Sequence, residues 1–419
     1  MLQRQTHTSD NDMPSVLVVH NRYQRFGGED AVVQAEVDLL RSSGARVETL
    51  FSDSQHVEQL QQLKKRPDRL VFNRATYQQT RALIRQHGIQ VVHCHNLVPL
   101  LSTSIYDAAH AEQVPVVQTV HNYRMSCLNG LHLREGQVCE RCRPGHHIDG
   151  IRFGCYRNSR VQSVAFGITQ TLNAWRSAWL RPTLYVTPGP FLRTKLIEWG
   201  SPADRVVVKP HFVPEAPSES GEEGAYALFV GRLSPEKGLD LLLDAWGPER
   251  LPLVIVGDGP LSAHLQQRIC AEQRTNVRLA GYQPRDQVNE LLKHARFLIM
   301  PSVWFETFGL VVIEAYAYGV PVIATRFGAM TDVVRDGVTG LLFAINDRVD
   351  LARKIDELET DHARRAAMRS AARREYEALY SAQANIKQLQ ALYHLALLQN
   401  AQAIPSRPPL EQRRTEGGG

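Results

Sequence analysis

Short apolar runs rich in Val, Ile and Leu recur along the chain, separated by segments of helical period. Residues 14–20, 46–51, 89–93, 115–120, 183–187 and 206–209 read as strands. Their hydrophobicity is continuous rather than alternating, as expected of parallel strands buried on both faces. Residues 32–40, 77–87 and 190–199 carry helical spacing between them. The same order starts again after a polar stretch, PEAPSESGEEG at 214–224, which reads as a linker. Strands are expected at 226–230, 252–256, 276–279, 297–300, 320–325 and 340–343, and helices at 239–246, 287–294 and 310–318. Strand, turn and helix in repeated succession predict an α/β chain of two doubly wound domains, 1–213 and 225–385. Residues 350–402 are largely helical, with 386–404 as a C-terminal helix, and 405–419 read as a disordered tail. Residues 161–180 form an amphipathic pattern that suits either a core-packing helix or contact with a membrane surface.

At 419 residues the chain exceeds what one hydrophobic core usually supports, which agrees with two domains. No window is long and apolar enough to span a bilayer, and the N-terminus lacks an apolar signal core. Six cysteines without a secretory signal point to a reducing cytosol. Charge is uneven. Residues 1–213 carry 25 Lys+Arg against 17 Asp+Glu, and the remainder 23 against 26. A basic first half suits an anionic partner or is simply a soluble basic surface.

The chemistry-bearing residues cluster after strands, at the sheet edge where ligands of open α/β folds bind. Gly27-Gly28 follows the first strand and opens a helix. His93-Cys94-His95-Asn96 ends one strand and His121-Asn122-Tyr123 follows the next. The HxH pair could ligate a metal, make polar contacts or be structural, and no carboxylate lies near it in sequence. In the second domain Gly231-Arg232 and Lys237-Gly238 flank a turn where two cations can converge on a phosphate. Gly257-Asp258-Gly259-Pro260 and Gly281-Tyr282 follow the next two strands. Glu306 and Glu314 bracket Phe308-Gly309-Leu310 at a helix start, about 12 Å apart along the axis. That is the span of a sugar, a diphosphate and a ribose, and helix-start amides favour phosphate. The stretch 124–160 is rich in Arg and holds Cys127, Cys139, Cys142 and Cys155. A structural zinc site, four reduced thiols and redox chemistry all suit that spacing.

These segments together resemble the retaining glycosyltransferases of family 4, with the GT-B architecture. The resemblance is carried by GGED at 27–30, HCHN at 93–96, TVHNYR at 119–124, GRLSPEKG at 231–238, GDGP at 257–260, ETFGLVVIEA at 306–315 and GVPVIATRFGA at 319–329. It runs through about residues 16–395 and implies two Rossmann-like domains facing across a cleft, the first for acceptor and the second for a nucleotide-diphosphate-sugar donor. It implies that Glu306 contacts the sugar hydroxyls and that the amides of Phe308, Gly309 and Leu310 hold the distal phosphate. Glu314 would bind the ribose, while Arg232 and Lys237 neutralise the leaving diphosphate. Gly27, Gly28, Gly231 and Gly257 would admit the donor closely, His121 would reach the sugar from across the cleft, and the base would lie near Tyr282. The implied enzyme is a retaining, metal-independent hexosyltransferase that needs no cofactor, which agrees with the lack of a DxD-like motif beside the donor segments. UDP- and GDP-sugars are the expected donors.

The cysteine stretch with CYRNSR resembles a subset associated with exopolysaccharide and lipid-linked glycan assembly. It implies a glycan or lipid-linked acceptor and a cytoplasmic enzyme peripheral to an anionic membrane. Two departures stand out. VTPGPF at 186–191 replaces a serine-led segment, and His211 replaces an Asn near the hinge, where it is expected to matter little. A nucleotide-sugar epimerase is the rival enzyme, and a nucleic-acid-binding protein the rival non-enzyme. The donor segments argue against both, and no basic platform interleaved with aromatics is evident.

Overall fold

The computed structural model describes residues 13–24, 27–53, 66–214 and 224–403. The expected linker lies almost wholly outside them, and the expected tail wholly so. The first half contains β1 (Val16–Arg22), β2 (Val47–Asp53), β3 (Val91–Cys94), β4 (Val116–Thr119), a small hairpin β5 (Leu133–Arg134) and β6 (Gln137–Val138), then β7 (Leu184–Thr187) and β8 (Val206–Val208). Six of these form a parallel sheet in the order β2-β1-β3-β4-β7-β8. The second half contains β9 (Tyr226–Val230), β10 (Leu253–Val256), β11 (Val277–Gly281), β12 (Ala295–Met300), β13 (Val322–Thr325) and β14 (Gly340–Phe343). They form a second parallel sheet in the order β11-β10-β9-β12-β13-β14. Both are doubly wound, so the fold is GT-B, two Rossmann-like domains.

The continuous apolar runs are explained by cover on both faces. Leu228, Val254, Leu298 and Val322 face one core, while Phe229, Ile255, Phe297 and Ile323 face the other. Each sheet has one switch point, where successive crossovers part and leave a crevice. It lies between β1 and β3 in the first sheet and between β9 and β12 in the second. Asn21 and Asn96 close the first. The Asn21 amide donates to the Asn96 carbonyl at 2.7 Å, and the Asn96 side chain donates back to the Asn21 carbonyl at 2.8 Å.

Three local expectations change. Helices at Ser104–Ala111 and Ser262–Ala271 lack a strong apolar stripe, the first because its buried residues Ser104, Ile105, Tyr106, Ala108 and Ala109 are nearly consecutive and the second because only Leu265 and Ile269 are buried. The helical region after 350 divides into Arg348–Thr360, His362–Glu375 and Ala382–Ala403, with a π turn at Tyr376–Tyr380. The last helix crosses back to the first domain, where Leu389, Leu392, Tyr393 and Ala396 complete the core under β1, β3, β4 and β7. At the crossing, the Val213 amide donates to the Tyr380 carbonyl at 2.9 Å. The third change concerns Arg160–Trp175. It buries Ser163, Phe166, Gly167, Thr169, Gln170 and Asn173 and leaves Val161, Val164, Ile168 and Trp175 exposed, so its apolar stripe does not pack into the core.

Candidate active site

The second switch point gathers the residues expected on the donor side. The loops after β9 and β12 interlock there, with the Val303 amide donating to the Glu236 carbonyl at 2.9 Å. Gly238 has φ +68, and a Cβ there would overlap the Pro301 carbonyl oxygen, so only glycine fits this crossing. Gly257, at φ +139, is pressed in the same way against the Gly231 carbonyl. The interlock sets Lys237 Nζ 2.6 Å from Glu306 Oε1, and Ser302 Oγ donates to the same oxygen at 2.7 Å. Burial alone would raise the Glu306 pKa, but the Lys237 charge and these hydrogen bonds outweigh it and hold the carboxyl below its usual range. Glu306 is therefore a buried carboxylate at neutral pH.

Gly309 caps the helix Leu310–Ala317 in the left-handed region, φ +90. No acceptor within the described residues takes the amides of Phe308, Gly309 or Leu310, so a helix start with free N–H groups follows Glu306. Arg232 is exposed at the rim, without an ion-pair partner among the described residues. Glu314 is paired with Arg285, Nη1 to Oε1 at 2.6 Å. Tyr282 stands 77 % exposed at the end of β11. Lys237, Glu306 and the helix-start amides are thus adjacent, and Glu314 with Arg285 lies farther along the same helix. Arg285 went unmarked in the sequence because no motif ties it to Glu314.

The first domain meets this face directly. A Cβ on Gly28 would lie 3.1 Å from Leu310 Cδ1, so Gly28 and the donor helix start confront each other across the cleft. Tyr123 Oη donates to the Glu306 carbonyl at 3.3 Å. The GGED turn is held by Asp30, which accepts from the Gly27 amide at 3.0 Å and bonds His20 at 2.8 Å. Glu29 was not singled out in the sequence. Its Oε2 accepts from Tyr23 at 2.7 Å and from Asn122 at 3.3 Å, while its Oε1 is buried without a hydrogen-bond partner. It lines a cavity of about 60 Å³ together with His121, Asn122 and Arg124.

His121 belongs to a row of rings. His93, His95, His121 and His211 follow one another with centroids 4.4, 5.2 and 5.2 Å apart, and His211 meets Phe308 edge-on at 5.1 Å. The row runs from the core of the first domain to the donor loop. His211 is therefore part of the site, contrary to the expectation from its place near the hinge. Burial pushes the pKa values of His95, His121 and His211 below the histidine range, so the rings are neutral at physiological pH.

An unfolded histidine takes up a proton near pH 6.5, whereas these rings in the fold resist it. Their stabilising contribution is full above that value and declines as pH falls below it. The melting temperature is expected to drop between pH 7.5 and 5.0, and His211→Asn to flatten the drop. Identical profiles for the two proteins in a calorimetric pH series would contradict this.

The HxH pair has a carboxylate after all. Glu36, from the helix Gly28–Ser42, lies 3.1 Å from His93 Nδ1 and 3.6 Å from His95 Nε2. The three residues form a group with metal-ligand spacing. Lys209 Nζ stands 3.1 Å from the other Glu36 oxygen, so the charge balance is already met by an ammonium. Burial would raise the Glu36 pKa, but Lys209 and His93 hold it well below the carboxylate range.

The four cysteines line one small cavity with Arg134, Asp149 and Gly150. All are free thiols, and no three of their sulfurs lie within 4.8 Å of one another, so the zinc alternative finds no support. Burial pushes the Cys142 pKa up to about 11 and also raises those of Cys127 and Cys155, which disfavours reactive thiolates.

Comparison with known proteins agrees with this architecture. The profile of Glycosyltransferase Family 4 matches residues 26–216, and that of Glycosyl transferases group 1 matches residues 215–375. An uncharacterized glycosyltransferase of Methanocaldococcus jannaschii is 38% identical over 138 residues, covering 32% of this chain and 39% of that one. A D-inositol 3-phosphate glycosyltransferase of Acidothermus cellulolyticus is 31% identical over 273 residues, covering 58% and 54%. The matched segments thus span less than two thirds of these curated relatives. Among solved structures, a glycosyltransferase from Rickettsia africae superposes with TM-score 0.67 at 16% identity, covering 92% of this chain and 99% of that one. Anabaena HepE in complex with UDP and glucose superposes with TM-score 0.63 at 17% identity, covering 91% and 100%. The chain belongs to the GT-B glycosyltransferases, with a family 4 first half and a group 1 second half.

Proposed function

We propose that this protein is a retaining hexosyltransferase that moves a sugar from a UDP- or GDP-sugar to a hydroxyl of a glycan or lipid-linked acceptor in surface polysaccharide synthesis. The observation that carries the reading is the buried Lys237–Glu306 pair beside the free amides of Phe308, Gly309 and Leu310. The bond from the anomeric carbon to the distal phosphate oxygen breaks, and negative charge grows on the diphosphate. Lys237, Arg232 and the helix-start amides meet that charge where it develops, which is where electrostatic catalysis is strongest. The acceptor oxygen attacks from the same face, and its proton passes to the departing phosphate oxygen. Glu306 binds sugar hydroxyls and keeps Lys237 oriented. Glu314, steadied by Arg285, binds the ribose, and the base rests by Tyr282. Gly27 and Gly28 let the first domain close on the diphosphate. His121, neutral and backed by His95 and His211, faces the sugar. Glu29 and Arg124 belong to the acceptor side. The two side-chain cations replace a metal ion in this reading. The UDP-bound and glucose-bound HepE structure supports a donor of this class.

A thermal-shift panel of UDP- and GDP-sugars tests the donor. One of them is expected to raise the melting temperature. Arg232→Ala is expected to weaken binding of that nucleotide about 10- to 100-fold, the value of hydrogen bonds to a charged group. Tight oligonucleotide binding with no response to either nucleotide would overturn the proposal.

A further inference from the structure

The helix Arg160–Trp175 is inverted relative to an ordinary surface helix. At 100° per residue, Val161, Val164, Ile168, Leu172 and Trp175 fall within an arc of about 80°. Val161 is 80 % exposed and Trp175 77 % exposed, with Val164 and Ile168 also exposed and Leu172 part-buried. The opposite face is buried mainly through the polar side chains of Ser163, Thr169, Gln170 and Asn173, with Phe166 its one large apolar residue. The short helix Ile148–Arg152 packed beside it exposes Ile148 as well. Arginines flank this stripe along the chain. Between positions 141 and 181 the chain carries seven arginines and one acidic residue, Asp149. Arg152, Arg157, Arg160 and Arg181 are exposed. Among the described residues, Arg152, Arg157 and Arg160 make no ion pair.

We infer that this face seats the enzyme on an anionic membrane surface. A convex apolar stripe with an interfacial Trp and an arginine border matches how amphipathic helices lie in a headgroup layer. Basic residues near such a surface gain from its negative potential. A second copy of the chain is a poorer occupant, because a two-fold contact sets the same patch against itself and would oppose arginines to arginines. The inner side of the helix gives the seat its use. Gln170 donates to the Arg124 carbonyl at 2.6 Å and lines the cavity that holds His121 and Asn122. Tyr156 and Arg157, just before the helix, line a larger cleft with Gly27, Gly28 and Arg124. The helix that meets the lipid thus also walls the acceptor cleft. Given the transferase reading above, the acceptor is an amphiphile whose anionic headgroup enters between Arg124 and Arg157 while its tail stays in the bilayer.

The test is co-sedimentation of the full chain with phosphatidylcholine vesicles, with and without about a third phosphatidylglycerol. Binding is expected to the anionic vesicles, weakened by salt. The triple variant Val164→Ser, Ile168→Ser, Trp175→Ser is expected to lose at least about tenfold in partition, since each added methylene or ring contributes to interfacial affinity. Arg152→Glu with Arg160→Glu is expected to abolish the preference for anionic lipid, and it keeps the test alive if the triple variant folds poorly. Wild-type chain that ignores both vesicle types would overturn the inference. So would a triple variant that binds like wild type, or a wild-type dimer that the triple variant dissolves. The nucleotide thermal shift is read on the same proteins. Its persistence alongside failed vesicle binding would sink the membrane seat alone, whereas its loss in wild type would sink the transferase reading.

Discussion

Glu306→Gln is expected to lower turnover by about 10²- to 10³-fold while leaving nucleotide affinity nearly intact, the pattern of a lost transition-state contact. The Glu306 carboxylate fixes the local geometry. It is buried, ionised, and shares one oxygen between Lys237 and Ser302. Glutamine keeps the shape but removes the charge that orients Lys237 and replaces one acceptor oxygen by a donor. The helix-start amides and Arg232 are untouched, so the nucleotide retains its main contacts. The backbone is also unaffected, because the Glu306 carbonyl, not its side chain, takes the hydrogen bonds from Tyr123 and Ala329. A single-turnover assay beside nucleotide titration checks the split. Wild-type turnover in the variant would remove Glu306 from the mechanism.

Glu36→Gln should cost stability rather than turnover. Glu36 is 2 % exposed and Lys209 4 % exposed, and they pair at 3.1 Å. Neutralising one partner leaves a buried ammonium without its counter-charge, held only by neutral acceptors such as Asn385 Oδ1 at 3.4 Å. Breaking such a pair costs about 3–5 kcal/mol, whereas replacing both partners by apolar residues is often nearly neutral. Denaturant unfolding is expected to show that loss for Glu36→Gln, and Glu36→Leu with Lys209→Met to recover most of it. A single variant that loses less than about 1 kcal/mol would mean that the pair is not the anchor of this cluster.

The placement of candidate residues in the second domain was legible in the sequence because they sit on loops contiguous with strand ends. Arg232, Lys237, Glu306 and Glu314 are each a few residues from a strand or helix whose pattern is plain, and the sheet order brings them to one edge. The first domain was less legible where residues meet across distance. His95, His121 and His211 come from three strand ends, and nothing in their local pattern predicts that the rings stack. Glu36 sits on a helix far in sequence from His93, so the missing carboxylate of the HxH pair could not be seen. Periodicity tells which side chains share a face but not what that face meets. The stripe of Arg160–Trp175 has the same spacing whether it packs a core or faces outward, and only the exposure of Val161, Val164, Ile168 and Trp175 in the fold decides the matter.

The returning helix Ala382–Ala403 has a consequence for the order of events during synthesis. Leu389, Leu392, Tyr393 and Ala396 fill the floor under a sheet whose last strand, β8, ends at Val208. A ribosome adding about 5–20 residues per second needs roughly 10–35 s to travel from one to the other. Throughout that interval the first domain has all its strands but lacks part of its core, and Val16, Val18, Val91 and Val117 wait for cover. The second domain is made in the meantime and can fold as a unit. The core of the first domain thus closes only after the second domain has been made.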